Sequence, residues 1–92
     1  MTVRWTRPAA ADLTDICDYT RQRFGAVQAR RAALLIYDAV DGLRDLPSQG
    51  RAGRKPGTRE IMVAGLPFPI IYRLRNSAIE ILRVLHGAQQ WP

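Results

Sequence analysis

Few side chains in this sequence are equipped for chemistry, and most of those are arginines. His86 is the only histidine. An imidazole titrates near neutrality and can act as a general base, but a lone one at a strand end reads first as a hydrogen-bond donor that packs its other face. Arg83 lies between Leu82 and Val84 in the apolar run from Ile79 to Leu85, where strict alternation puts it on the same face as Ile81 and Leu85. A guanidinium there either pairs with a buried carboxylate, with Glu60 and Glu80 as candidates, or points into a groove. Arg51, Arg54, Lys55 and Arg59 stand close together. Each alone reads as a solvated turn residue; as a cluster they are the best candidate for an anion-binding edge. Little aromatic interleaving accompanies them, which argues against a platform for stacked bases.

Metal and cofactor chemistry find little support. Cys17 is the single cysteine, and neither it nor His86 has a partner at ligand spacing. Asp12, Asp15 and Asp18 recur every three residues on one predicted helix, and a metal site needs carboxylates converging from more than one element. They read as a solvated face, with Asp12 and Asp15 near the positive helix end. No cofactor and no metal are expected. Cys17 reads as an inert buried thiol and Trp5 as core, while Trp91 either packs back onto the sheet or is free for a partner.

Fourteen Lys and Arg against eight Asp and Glu give a net charge of +6, and thirteen of the fourteen cations are arginine. Guanidinium suits bidentate recognition of phosphate and carboxylate, so the excess implies a polyanionic partner, either nucleic acid or an acidic protein segment. A solvated basic surface with no partner stays open as well. Ninety-two residues make one domain, 1–92, with a modest core that calls for regular packing or a partner. No stretch approaches the roughly 20 apolar residues of a membrane span, and the N-terminus lacks the pattern of a signal peptide. A soluble, cytoplasmic protein without a membrane partner is expected.

The elements that must position these residues follow from period and punctuation. Thr2 to Thr6 alternates as a first strand. Thr6 can cap a helix that tolerates Pro8 in its first turn, with Leu13, Ile16, Cys17, Thr20 and Phe24 as its stripe and Gly25 as its cap. A second helix runs from about Val27 to Leu46 on Ala33, Ile36, Tyr37, Val40, Leu43 and Leu46. The short break at Gly25 makes the two an antiparallel hairpin. Residues 47–57 hold three glycines and two prolines and are expected to be loop. Strands are then predicted over Thr58–Ala64, Phe68–Arg75 and Ala78–His86, with a tight turn at Asn76-Ser77. The result is α+β, β-α-α-β-β-β, a helical hairpin on one face of a small, mainly antiparallel four-stranded sheet. The opposite face is left more open, with room for a basic groove.

Read together, Val3-Arg4-Trp5-Thr6 with Ala10, Asp12, Leu13 and Ile16, the run Gly57-Thr58-Arg59-Glu60-Ile61, the strand Ile71-Tyr72-Arg73 and the stretch Ile81-Leu82-Arg83-Val84-Leu85-His86-Gly87-Ala88-Gln89-Gln90-Trp91-Pro92 resemble the ParE/RelE toxin superfamily. The resemblance covers essentially the whole chain. It implies the same β-α-α-β-β-β fold and a toxin of a type II toxin–antitoxin pair, held inactive by a cognate antitoxin protein, as a homodimer or a toxin–antitoxin heterotetramer.

The superfamily divides into ribosome-dependent endoribonucleases, RelE-like, and ParE-like members associated with poisoning DNA gyrase. RelE-like enzymes place lysines on the strand after the hairpin and an arginine on the next; the matching positions here are Glu60, Met62 and Pro69. Other ribonuclease branches use a Glu, an Arg and a terminal His-Tyr, and this chain has no tyrosine after Tyr72. The departures favour a ParE-like toxin that binds DNA gyrase, with the hairpin and the C-terminal strand and tail recognising it. The antitoxin would wrap an amphipathic segment around the hairpin and the open sheet face. Residues expected to meet target or antitoxin are Arg51, Arg54, Lys55, Arg59, Arg83, His86 and Trp91. The alternative is an mRNA endoribonuclease working in the ribosomal A site, for which Arg59, Arg83 and His86 would have to supply charge stabilisation and proton transfer. A third reading is an inactive relative that survives as a partner of its antitoxin.

Overall fold

A computed structural model describes residues 1–87 and 89–92. Along the chain run β1 (Thr2–Trp5), α1 (Arg7–Phe24), α2 (Ala26–Gly42), β2 (Arg51–Ala52), β3 (Arg59–Met62), β4 (Pro69–Arg75) and β5 (Ala78–Val84). The sheet order is β1-β5-β4-β3-β2, with β1 parallel to β5 and the other neighbours antiparallel.

Thr6 makes the corner between β1 and α1. Its Oγ1 accepts from the Ala9 amide at 3.3 Å and donates to the Ile81 carbonyl at 2.8 Å, so one hydroxyl caps the helix and ties its start to β5. Pro8 occupies the first turn, where its missing N–H leaves nothing unpaired. Gly25, at φ 91°, ends α1 and starts α2: its amide donates to the Arg21 carbonyl and its carbonyl accepts from Ala29. A side chain at that φ is strained, which is why glycine stands at this joint.

The hairpin covers one face of the sheet. Ala9, Leu13 and Ile16 of α1, and Ile36 and Val40 of α2, pack with Ile70, Tyr72, Ile79 and Ile81, and Ala29 and Ala32 of α2 are buried as well. Each fully buried Ile contributes about 1.5–3 kcal/mol. The buried stripe of α2 therefore starts at small residues beside the Gly25 joint, where the helices must approach closely. Ala33 and Tyr37, expected in that stripe, are displaced from it, and Tyr37 meets Trp5 edge-on at 5.6 Å instead. Phe24, expected in the stripe of α1, is 67% exposed at the helix end.

The strands end a residue or two short of expectation, at Trp5, Met62 and Val84, with β3 starting at Arg59 and β4 at Pro69, and three larger features differ. Helix α2 stops at Gly42, not Leu46; Leu43 and Arg44 bond three residues back, to Val40 and Asp41, which tightens the chain ahead of Pro47 and leaves Leu46 exposed. The loop 47–57 contains a fifth strand, the two residues Arg51 and Ala52 paired with Glu60 and Arg59. Buried Tyr72 draws it in: its hydroxyl donates to the Pro47 carbonyl at 2.7 Å and accepts from the Gly50 amide at 2.9 Å. Gly50 has no room for a side chain, since a Cβ would stand 2.6 Å from that hydroxyl. Last, Tyr72 pairs with Ile81 but Ile71 pairs with Arg83, so Leu82 is an extra residue on β5. That bulge puts Arg83 on the opposite face from Ile81, against the alternation read from sequence. The β4–β5 turn is as expected, with Asn76 and Ser77 both at positive φ.

Replacing Tyr72 by Phe removes one hydroxyl and strands both the Gly50 amide and the Pro47 carbonyl. Urea unfolding should show a loss of about 1–3 kcal/mol, and an unchanged midpoint would mean that the loop is held some other way.

Candidate functional site

Ladder partners share a face, which fixes what the open side of the sheet carries. Arg4, Glu80 and Arg73 are aligned across β1, β5 and β4, and Arg51, Glu60, Ile71 and Arg83 across β2, β3, β4 and β5. Arg75 follows Arg73 on the same side of β4.

Three carboxylates are buried on this frame, and arginines hold each of them. Glu60 accepts from the Arg54 amide at 3.0 Å, with the Arg54 and Arg51 guanidiniums at 3.3 and 3.6 Å. Glu80 bonds Arg73 Nε at 2.6 Å and also Arg4. Those two hydrogen bonds, the one from Arg73 first, hold the Glu80 carboxyl below its ordinary value. Asp12 of α1 accepts Nε and Nη2 of Arg83 at 2.6 and 2.9 Å and the Val84 amide at 2.9 Å. This fork holds the guanidinium above its ordinary pKa.

Of the catalytic candidates from sequence, Arg83 and His86 meet at Asp12 and Arg59 stands apart. Arg83 is in a structural pair, but its partner is Asp12, not Glu60 or Glu80. Asp12 was expected on a solvated helix face and is 3% exposed; its spacing from buried Ala9 and Ile16 is the signal that places it on the inner stripe. Arg51 and Arg54 belong to Glu60. Arg59 shares the helix side with Tyr72 and donates to the Gly50 and Ser48 carbonyls at 2.8 and 3.2 Å. Lys55 lies over the ring of half-buried Trp91, 6.0 Å from its centre. His86 bonds the Val84 carbonyl through Nδ1 at 2.9 Å, with Asp12 and Asp15 each 3.8 Å from a ring nitrogen. Burial pushes the Cys17 thiol up, away from its reactive thiolate. Among the described residues no cluster of His, Cys, Asp and Glu is suited to a metal ion. Among the described residues no helix is long and apolar enough to cross a membrane.

On the other side, α1, α2 and the β3–β4 connection enclose a groove of about 780 Å³ lined by Tyr19, Phe24, Leu66, Phe68, Arg31 and His86 among others. Tyr19 and Phe24 are 54% and 67% exposed, so this groove is an apolar surface the fold leaves uncovered.

With this geometry in hand, comparison with known proteins is decisive. The family described as the ParE toxin of the type II toxin–antitoxin system, parDE, matches residues 3–91. The chain belongs to this toxin family. The putative toxin Y4kP of Sinorhizobium fredii is 40% identical over 98% of the chain and 92% of that protein. Toxin RelE2 of Caulobacter vibrioides is 38% identical over 95% of the chain and 96% of its own length. Among solved structures, a chain of the chromosomal ParDE system from P. aeruginosa superposes with a TM-score of 0.86 at 35% identity, over 91% of this chain and 92% of that one. A chain of the RelBE2 toxin–antitoxin complex of Mycobacterium tuberculosis shares the fold, with a TM-score of 0.66 at 23% identity, over 94% of this chain and 96% of that one. The α+β architecture read from sequence is that of these toxins, with β2 as an added edge strand.

The ion pairs of this toxin carry a signature in pH. The carboxyl of Glu80 is lowered in the folded state, so its contribution is present above the ordinary value of 4.5 and is lost as pH falls through the lower folded value. Glu80→Gln should flatten the acid limb of a stability-against-pH curve below about pH 4.5 while leaving its shape near neutrality unchanged. Identical acid limbs in the two proteins would exclude this pair as a source of acid sensitivity.

Proposed function

We propose that this toxin acts by binding DNA gyrase and stabilising its cleaved-DNA complex, and that it does not cut RNA. The observation that carries the reading is how Arg59, Arg83 and His86 are engaged: Arg83 and His86 meet at Asp12, where the Arg83 fork is already filled, and Arg59 lies apart from both. Cleaving RNA through its own 2′-hydroxyl needs a base and cations around one phosphate. Arg59 faces the helices and is bonded to loop carbonyls, Arg83 is on the other face locked to Asp12, and His86 is bonded to the Val84 carbonyl. Where the resemblance puts RelE-type cations stand Glu60, Met62 and Pro69, which share the open face. An acid, a thioether and a proline cannot stabilise a phosphorane.

A cognate antitoxin completes the proposal, supported by structural neighbours from a ParDE system and a toxin–antitoxin complex. The groove between the helices and the β3–β4 connection suits an amphipathic segment of such a partner, with acidic residues toward Arg31. The pair assembles in the cytoplasm, where gyrase works. The choice of target rests on the engaged Arg83 and the missing RelE-type cations.

The test is a gyrase supercoiling and cleavage assay with purified toxin. Lost supercoiling with accumulating linear DNA, reversed by the antitoxin, is expected. Unaffected gyrase at stoichiometric excess, with messenger RNA cut on the ribosome, would transfer the function to the enzyme branch.

A further inference from the structure

The open sheet face has a chemistry distinct from that of the apolar groove. Four arginines (Arg4, Arg51, Arg73 and Arg75) share it with two glutamates, Glu60 and Glu80, while Arg83, aligned with them in the ladder, is committed to Asp12. The glutamate side chains are 2% and 8% exposed, whereas those of Arg51, Arg4 and Arg73 are 71%, 59% and 37% exposed. Glu80 therefore acts as a fixed post from beneath, hydrogen-bonded to the Arg4 and Arg73 guanidiniums, and Glu60 stands within ion-pair distance of those of Arg51 and Arg54. Each such group keeps a net positive charge. Arg75 adds another, with no carboxylate partner among the described residues.

We propose that this face is a docking surface for the sugar–phosphate backbone of duplex DNA. Charge complementarity on a pre-positioned frame favours this partner. Glu60 and Glu80 are two strands and two residues apart, about 12 Å at ordinary strand spacing and rise. Over that length of axis duplex DNA presents about seven charges. Guanidiniums held by a carboxylate meet phosphates without first losing rotamer freedom, and their free N–H pairs match phosphate oxygens. The face is poor in apolar anchors: Met62 is its one large hydrophobic residue that is exposed, among the described residues. A protein segment needs such anchors and finds them in the groove on the opposite side. The surface reads no base edges, so its binding is independent of sequence and strongly salt-dependent.

The experiment is fluorescence anisotropy of a short labelled duplex titrated with the full chain across a salt series, without gyrase. It is thus independent of the gyrase reading, and either can fail while the other stands. Removing two phosphate contacts with Arg51→Ala plus Arg75→Ala should weaken binding about tenfold and lower the salt slope by about 2. Arg30→Ala plus Arg31→Ala, an equal loss of charge on α2, should change affinity less than about threefold. Neither arginine of the first pair lies in the core, and a thermal melt on each variant verifies folding; Arg75→Ala alone, which breaks no ion pair seen in the structure, should still lower the slope by about 1. Absence of binding at low salt, or equal weakening in both double variants, would overturn the proposal. Tighter binding of poly-glutamate than of the duplex at equal charge concentration would also overturn it, in favour of an acidic protein segment.

Discussion

The Asp12 carboxylate takes three hydrogen bonds at the edge of β5, two from the Arg83 guanidinium and one from the Val84 amide, and both layers of the molecule are set by that contact. β1 ends at Trp5 and pairs with β5 only as far as Ile81. Beyond that point the edge of β5 would be bare. Asp12, on the inner stripe of α1, satisfies the exposed amide in place of a strand partner. The bulge at Leu82 moves Arg83 out of alternation with Ile81, and its guanidinium reaches Asp12 at the edge that β1 vacates. Without either partner the other would be a buried, unpaired charge, a loss of about 3–5 kcal/mol. With both, α1 is fixed, the hairpin follows through Gly25, and Tyr19, Phe24 and His86 line one groove.

The same logic explains a basic protein that offers few loose cations on its sheet. Asp12, Glu60 and Glu80 are all buried, and Arg83, Arg51 with Arg54, and Arg4 with Arg73 are oriented by them. Arginine keeps spare donors when bonded on one side, which a lysine in the same place would not do in a fixed plane. Charge is thereby turned from a diffuse property of the chain into a rigid pattern. A rigid pattern suits recognition. It does not suit proton transfer, which needs a base with a free lone pair beside a substrate.

Much of this was legible from residue order. Period and punctuation place both helices, the Gly25 joint, the Asn76-Ser77 turn and the strand sequence, because local propensity and tertiary packing agree there. The features that escaped are all non-local. β2 exists because a tyrosine 22 residues beyond Gly50 in sequence bonds the loop there. Leu82 looks like an ordinary strand residue until the partner strand is in register. The pairings of Glu60 with Arg51 and of Glu80 with Arg4 and Arg73 appear only once the ladders are known. Asp12 was the recoverable case: its place between Ala9 and Ile16 put it on the buried stripe, and reading it as part of a spaced acidic face hid that.

A double-mutant cycle of Asp12→Asn and Arg83→Gln, measured by urea unfolding, tests most directly the claim that Arg83 is scaffold. Each single change should destabilise strongly, and the two should be coupled by about 2 kcal/mol. Additivity within about 0.5 kcal/mol would contradict the account, leaving Arg83 free of Asp12 and returning it to the groups available for chemistry on RNA.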